Sequence, residues 1–547
     1  MPQMSRTTGS SLAKYPRGKT LNIVWLKRDI RLDDHVSLSE AAREGPFIAL
    51  YVYEPIVWQS PEADVSQLEF INEALMELDR KLKLLGGRIV FRAGEFLSVL
   101  KKLHQQLPIR KMWSHEETGT MATYQRDLQV KRWCRTQGIQ WHEYPQNGVV
   151  RRLATRDGWA EIWQQRMRAP MIAPPDRIED IPQIESEHPR SAEQLTMPRA
   201  VAKERQIGGE DRANETLDAF LFQRGMNYRH EMSSPVTAHH SCARISPYLA
   251  WGCMSVKKVH QRLASRVEEL RSIKASQADM AATGQWLKSL SSFQSRLHWH
   301  CHFIQKLEDE PELEFQNLSR VFDGLRENEW NEERFQAWCE GKTGYPMIDA
   351  CMRSVKATGW LNFRMRAMLV SFAANHLWLH WRKPALFLAQ HFLDFEPGIH
   401  YPQFQMQSGT TGINTLRIYS PAKQAKDHDP TGVFIRRWVP ELEEVPDKFL
   451  AEPHLMPTAL QWMVGCRLGK DYPAPIVEHA SAYQHAKERL YGIRKTDEAR
   501  REAETVVKKH GSRKGPSDRR PKTKGSAAKN SKRQPSLDEK GPRKPET

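Results

Sequence analysis

The 547-residue chain has seven cysteines, Cys134, Cys242, Cys253, Cys301, Cys339, Cys351 and Cys466, and no CxxC pair among them. That scatter argues against a disulfide framework or a Cys-type metal site and fits a reduced, intracellular protein. No stretch reaches the roughly 18 consecutive apolar residues that a membrane span needs, so no membrane insertion is expected. GxGxxG and P-loop patterns are missing, which removes the usual nucleotide fingerprints. Internal repeats are missing too. The opening MPQMSRTTGSSLAKYPRGKT has no acidic residue and no apolar signal core. It reads as a disordered tail over residues 1–20 rather than an organelle-targeting segment, and a cytoplasmic monomer is expected.

Basic charge is abundant, but unevenly placed. The formal net charge is +16. Residues 508–547 hold 14 Lys/Arg against 4 Asp/Glu, so they supply +10 and everything before them only +6. The segment 495–547 is nearly free of large apolar side chains and is expected to be a disordered basic tail. Such a tail can hold a nucleic-acid backbone by counterion release, without sequence preference.

Residues 21–150 alternate strand and helix signals. LNIVWL, FIALYVYEP, RIVFRAGE and KMWSHEE read as strands, and QLEFINEALMELDRKLKLLGG as an amphipathic helix with a glycine stop. The rhythm predicts an α/β domain with a doubly wound parallel sheet. Six prolines between Pro170 and Pro198 mark a surface connection, placed at 151–214. From 215 to 494 the pattern is helical throughout, which predicts a second, all-α domain.

Four clusters in the helical half depart from an ordinary core. HHSCARISPYLAWGCMS sets Arg244 before a helix start, a setting suited to phosphate. SFQSRLHWHCHF carries Arg296, His298, Trp299, His300 and His302; only 298 and 302 share a helical face, so no metal is expected. From Trp360 to Arg382 there is no Gly or Pro, predicting one long buried helix with Arg364 and Arg366 at one end and Trp378 and Trp381 at the other. HFLDFEPGIHYPQFQMQ then places Asp394 and Glu396 at a helix end, where buried acids need cationic partners; Arg364 and Arg366 are the natural candidates.

VWLKRDIRLDDH, CARISPYLAWGCMS, GKTGYPMIDACMR with ATGW after it, and RIYSPAKQAKDHDPTGVFIRRWVPEL resemble the photolyase/cryptochrome flavoprotein family, in family order, over about residues 21–450. The resemblance implies an antenna-type α/β domain and a helical domain that binds FAD. It implies cofactor-binding roles for Tyr228, Arg244, Ile245, Ser246, Trp299, His300, Phe363, Arg366, Asp394, Glu396 and His400. The pair Arg366/Asp394 would lie beside the isoalloxazine and His400 would face its N5 edge, where a titratable imidazole could govern proton uptake. Trp381 and Trp330 match the middle and outer members of an electron-transfer chain whose inner position is Phe404 here; Tyr401 or Trp378 would have to bridge it.

Two activities are implied: repair of pyrimidine dimers in DNA by blue-light electron transfer, or blue-light sensing. Trp299 and Arg364 match positions that stack on the lesion and hold phosphate, with Arg296 and Lys423 added as DNA contacts and Lys426, Arg436 and Arg437 as further basic residues. Other cavity positions depart. Arg296 stands where a glutamate bonds the lesion, Phe363 for an asparagine, Met406 for a stacking tryptophan and His300 for an arginine. The paired histidines of (6-4) photolyases are missing from WLNFRMRAM. An antenna chromophore of unassigned identity is possible near Glu116 and Glu117.

Overall fold

A computed structural model describes residues 20–197, 202–275 and 280–511. The N-terminal tail up to residue 19 and the basic segment from 512 lie outside the described residues. No helix among those described is long and apolar enough to cross a membrane.

Strands β1 (Leu21–Trp25), β2 (Ile48–Tyr53), β3 (Ile89–Ala93), β4 (Ile109–His115) and β5 (Gln140–Tyr144) form one parallel sheet in the order β3-β2-β1-β4-β5. Helices α1 (Val36–Glu44), α2 (Val65–Leu84), α3 (Phe96–Gln106) and α4 (Met121–Thr136) connect them. Every residue of β1 and β2 is buried, as expected when helices cover both faces of a parallel sheet. The fifth strand was not legible as an apolar run because β5 is an edge whose residues are all exposed or half-buried. Strand order reverses between β1 and β4, which makes the ends of those two strands a ligand-binding crevice in this architecture.

The proline-rich connection is irregular from 171 to 197, as its composition predicts, but it is not merely a surface strap. Helix α5 (Trp159–Arg168) precedes it and buries Trp159, Trp163 and Met167. Further on, Glu187 bridges antiparallel to Phe91 and covers the β3 edge.

The helical half is built around α6 (Met280–Asp309), α7 (Pro346–Thr358), α8 (Phe363–Ser371), α9 (Arg382–His391) and α10 (Pro397–Ser408). Helices α6 and α10 approach so closely that a Cβ on Gly398 would lie 2.6 Å from the Ile304 Cα. The single helix expected from Trp360 to Arg382 is instead broken. After α8 a π-turn runs from Phe372 to His376, and Trp378 takes a left-handed φ of 57° before α9 begins. The buried Asn375 side chain holds this break: its Nδ2 donates to Ser371 Oγ (3.1 Å) and its Oδ1 accepts from Arg326 (3.1 Å). A polar side chain that bonds within the helix wall supplies what Gly or Pro would otherwise signal.

The expected start of the disordered tail at 495 is also corrected. Helix α11 (Asp497–His510) follows it, capped by Thr496, with acids in its first turn and Lys508, Lys509 and His510 in its last, complementing the helix dipole. Glu502 accepts from Ser319 Oγ (3.2 Å) and Val321 N (3.0 Å), and buried His510 Nε2 lies 2.8 Å from Glu310.

Candidate cofactor and substrate cavity

A cavity of about 1080 Å³ opens between α6, the start of α8, the loop into α10 and the segment 242–246. This exceeds the usual volume for a small ligand and suits a large or a paired occupant. Tyr228, Arg244, Ile245 and Ser246 line one end. Tyr228 is buried, edge-on to Phe293 at 6.0 Å. Arg244 adopts φ 60°, a strained setting for a side-chain-bearing residue. Its guanidinium lies 4.1 Å over the Trp360 ring and donates to Gln206 Oε1 from Nε (3.2 Å) and Nη2 (3.1 Å). Burial pushes its pKa down to about 10, with the Asp394 charge acting against that shift.

At the centre, Arg366 makes a two-pronged ion pair with Asp394, at 2.9 and 2.8 Å, while its Nε donates to Leu361 O (2.6 Å). The expectation that Arg364 and Arg366 both serve the two acids holds for one of them. Glu396 instead faces Arg28, 3.6 Å away across from the α/β half, and burial raises its carboxyl to about 7 with Arg28 opposing. His400 is buried and its Nε2 donates to Ala385 O at 2.8 Å. Burial lowers its pKa to about 4, so the imidazole is neutral near pH 7 and does not titrate there. His300 is lowered to about 4 by the same cause.

Toward the opening stand two exposed rings, Trp299 (40 % exposed) and Phe363 (48 %). Arg296 lies 5.7 Å from the Phe363 ring, and Arg364 and Met406 complete that side. His298 does not line the cavity, while His302 does; both pack edge-on against Trp159, at 4.9 and 6.0 Å.

Among the described residues, five buried polar atoms on this lining have no partner: Arg244 Nη1, Asn362 Oδ1, Arg364 Nε, Gln403 Oε1 and His510 Nδ1. Buried groups of this kind need a ligand to bond. Donors at one end, a charge pair at the centre and flat rings at the mouth fit an elongated molecule with a diphosphate and a planar ring, as FAD has. Asn362, at the start of α8, and Gln403, inside α10, were missed in the sequence because single amides carry no motif.

The aromatic positions fall behind the cavity. Trp381 is buried, donates from Nε1 to Asn317 Oδ1 (2.8 Å), and meets Tyr401 edge-on at 6.4 Å. Tyr401 touches His400 (5.6 Å), which touches Phe404 (4.6 Å) on the lining. The Tyr401 phenol donates to buried Glu62 at 2.5 Å, a link across domains that sequence spacing cannot reveal. Trp330 is half-buried and packs at a tilt against Phe335 (5.0 Å) under Lys383. Trp378 belongs elsewhere, packed among Phe322, Leu325, Ala486 and Leu490 with Arg326 4.5 Å over its ring. The structure thus separates it from the Trp381–Tyr401 contact.

The surface cations are already engaged: Lys423 with Asp427 (3.3 Å), Lys426 with Glu452, Arg436 with Asp447 and Arg437 with Glu204. At the β1/β4 crevice, charged side chains fill the space. Arg126 bonds Glu54 (2.6 Å), Glu117 (2.7 Å) and Asp127 (2.9 Å), and Lys27 reaches Asp127 (3.2 Å). The cavity beside Glu116 and Glu117 measures about 30 Å³, room for water rather than an organic chromophore, so an antenna here requires these pairs to open. Next to them Asp29, His35 and His115 form a buried group, with Asp29 Oδ2 2.8 Å from His115 and 3.3 Å from His35. Burial works against the Asp29 carboxylate, but the two imidazoles outweigh it and hold its pKa well below the usual value.

A family model described as the FAD binding domain of DNA photolyase matches residues 293–492, spanning α7 to α10, and one described as DNA photolyase matches 22–158. The chain is 25% identical to a deoxyribodipyrimidine photo-lyase of Alkalihalophilus pseudofirmus, covering 85% of this chain and 97% of that one. It is 26% identical to a cryptochrome DASH of Gloeobacter violaceus over 83% and 93% of the two chains. Its fold superposes on a class III photolyase of Agrobacterium tumefaciens with TM-score 0.74 at 26% identity, covering 89% of this chain and all of the other. With the two family models falling on the sheet domain and on the helices that wall the cavity, the chain belongs to the photolyase/cryptochrome family, with an FAD-binding helical domain.

Proposed function

We propose that the protein is a DNA photolyase that repairs pyrimidine dimers under blue light. One observation carries this reading: beside the Arg366–Asp394 pair the cavity stays wide and ends in exposed Trp299 and Phe363 flanked by Arg296 and Arg364. Exposed rings and guanidinium groups around a deep pocket suit a base turned out of a strand, stacked on one side and held by its phosphate on another. FAD, when bound, supplies light absorption and the electron for ring cleavage. The protein's own residues bind and orient. Arg244 and Ser246 serve the diphosphate, Arg366 sets positive charge beside the ring system with Asp394 fixing its geometry, and neutral His400 offers Nδ1 as an acceptor because Nε2 is committed to Ala385. Trp381 and Tyr401 give an aromatic path from behind the cavity, in place of the indole that Phe404 lacks.

Arg296 and Met406 favour a second reading, a cryptochrome-like photoreceptor, since both replace side chains that would grip a dimer. The deciding measurement is loss of dimers from irradiated oligonucleotides under blue light with dithionite-reduced, FAD-loaded protein. Dimer loss selects repair; unchanged dimers with intact flavin photochemistry select sensing.

A further inference from the structure

Lys306 lies seven residues beyond Trp299 on α6, so the two share a helix face about 10 Å apart along the axis. It is 5 % exposed and lines the large cavity, its amine 5.0 Å from the Phe303 ring centre. Among the described residues, no carboxylate lies within 4.0 Å of that amine and none makes a hydrogen bond to it. The nearby acids are committed elsewhere. Asp309 faces Arg156 (3.1 Å) and accepts from Gln305 (2.7 Å), while Glu310 holds His510 (2.8 Å) and Lys509 (2.6 Å). The neighbouring His302 adds no charge, being held neutral by burial. Burial, aided by Arg156, lowers the amine to about 8, so it remains mostly charged near neutral pH. A buried ammonium without a counter-charge is costly, and an arriving anion relieves that cost.

This place is distinct from the end assigned to the FAD diphosphate. Tyr228 meets α6 at Phe293, 13 residues and about 20 Å before Lys306. On the side of Lys306 the cavity is closed by Ile413 and by His510 of α11.

We propose that Lys306 forms an anion subsite in the cavity wall that takes a backbone phosphate of the DNA strand whose base stacks on Trp299. The inference rests on the repair reading and deepens it, by naming where the substrate's phosphate is held. The separation from Trp299 is one that a base and the phosphate of its own or a neighbouring nucleotide can span.

The test is binding in the dark of oligonucleotides that carry one dimer, with the flanking phosphates replaced one at a time by uncharged methylphosphonates. FAD-loaded wild type and Lys306→Met are compared, with Lys306→Arg as the charge-keeping control. Wild type should lose about tenfold at one position, and Lys306→Met should lose nothing further there, while Lys306→Arg keeps the wild-type profile. Lys306→Met should also lower the slope of log K against log salt by about 0.7 to 0.9. Its Tm should not fall, because an unpaired buried charge has been removed; a merely structural lysine would lower it. Losses that add independently at every position overturn the subsite. If wild type binds no dimer-containing strand, the repair reading fails on its own. The subsite is then decided by acetylation of the Lys306 amine, read by mass spectrometry. Protection by undamaged single strands keeps it, and protection by inorganic phosphate alone, or by neither, overturns it.

Discussion

Two regions of this molecule gather charge in opposite ways. At the β1/β4 crevice, Arg126 is paired with three carboxylates and Lys27 with two of them, all nearly inaccessible, and about 30 Å³ is left between them and the helical half. In the helical cavity Arg244 and Arg364 keep unbonded nitrogens, and Lys306 an amine with no carboxylate of the described residues within 4.0 Å, facing about 1080 Å³. Both are buried polar clusters, yet one is closed on itself and the other is open to a partner. Self-satisfied buried charge roughly breaks even as structure, whereas unsatisfied charge costs stability unless a ligand arrives. The difference locates function in the helical half.

The sharpest way to break that contrast is Arg126→Met. It leaves buried Glu54 without its cation and Glu117 and Asp127 to Lys27, and a loss of about 3–5 kcal/mol is expected in denaturant unfolding. FAD stoichiometry in the folded fraction should be unchanged; loss of flavin with little loss of stability would reverse the roles given to the two regions.

On the open side, His400 should give the cavity a pH signature. Its pKa is lowered by burial to about 4 from an ordinary 6.5. Between those values the unfolded chain takes a proton that the folded protein refuses, so stability is full above about pH 6.5 and falls as pH drops toward 4. The share of this one group is at most about 3 kcal/mol. In His400→Asn the dependence of unfolding free energy on pH should flatten over that window; an unaltered slope would show that the imidazole protonates freely in the folded state.

The third test concerns the charge pair. Asp394→Asn keeps the shape but weakens the two-pronged contact that aims Arg366, and FAD should bind about 2 kcal/mol more weakly by equilibrium dialysis, with little change in unfolding of the apoprotein. Unfolding of the apoprotein by the same amount would make the pair structural, like those of the crevice.

What could be read from the chain follows from how local each signal is. Strands β1 and β2 announce themselves because each is an apolar run buried on both faces, while β5 stays silent as a polar edge. The break after α8 is hidden because Asn375 and Trp378 enforce it without Gly or Pro. The acids Asp394 and Glu396 demand cations, but that Glu396 finds Arg28, 368 residues away, is a product of domain packing. Tyr401 with Glu62 and the bare amine of Lys306 are likewise tertiary facts. Helix α11 is masked by its composition: its basic last turn runs on into a basic tail, and only Thr496 and the acids after it signal a start.

That boundary reshapes the last and smallest expectation. Removing the tail at 507 would cut into α11 and take His510 from the cavity wall, so a change in DNA binding would report two effects at once. Ending the chain after Ser512 leaves the helix whole and still deletes 12 Lys/Arg against 4 Asp/Glu. If these cations reach the DNA backbone, each phosphate they neutralise contributes about 0.9 to the salt slope of binding on duplex, and truncation should lower that slope by a few units while dimer preference at fixed low salt is unchanged. A slope identical in the two proteins would leave the tail without a role on DNA, and the contrast between closed crevice and open cavity would then hold all of the substrate recognition.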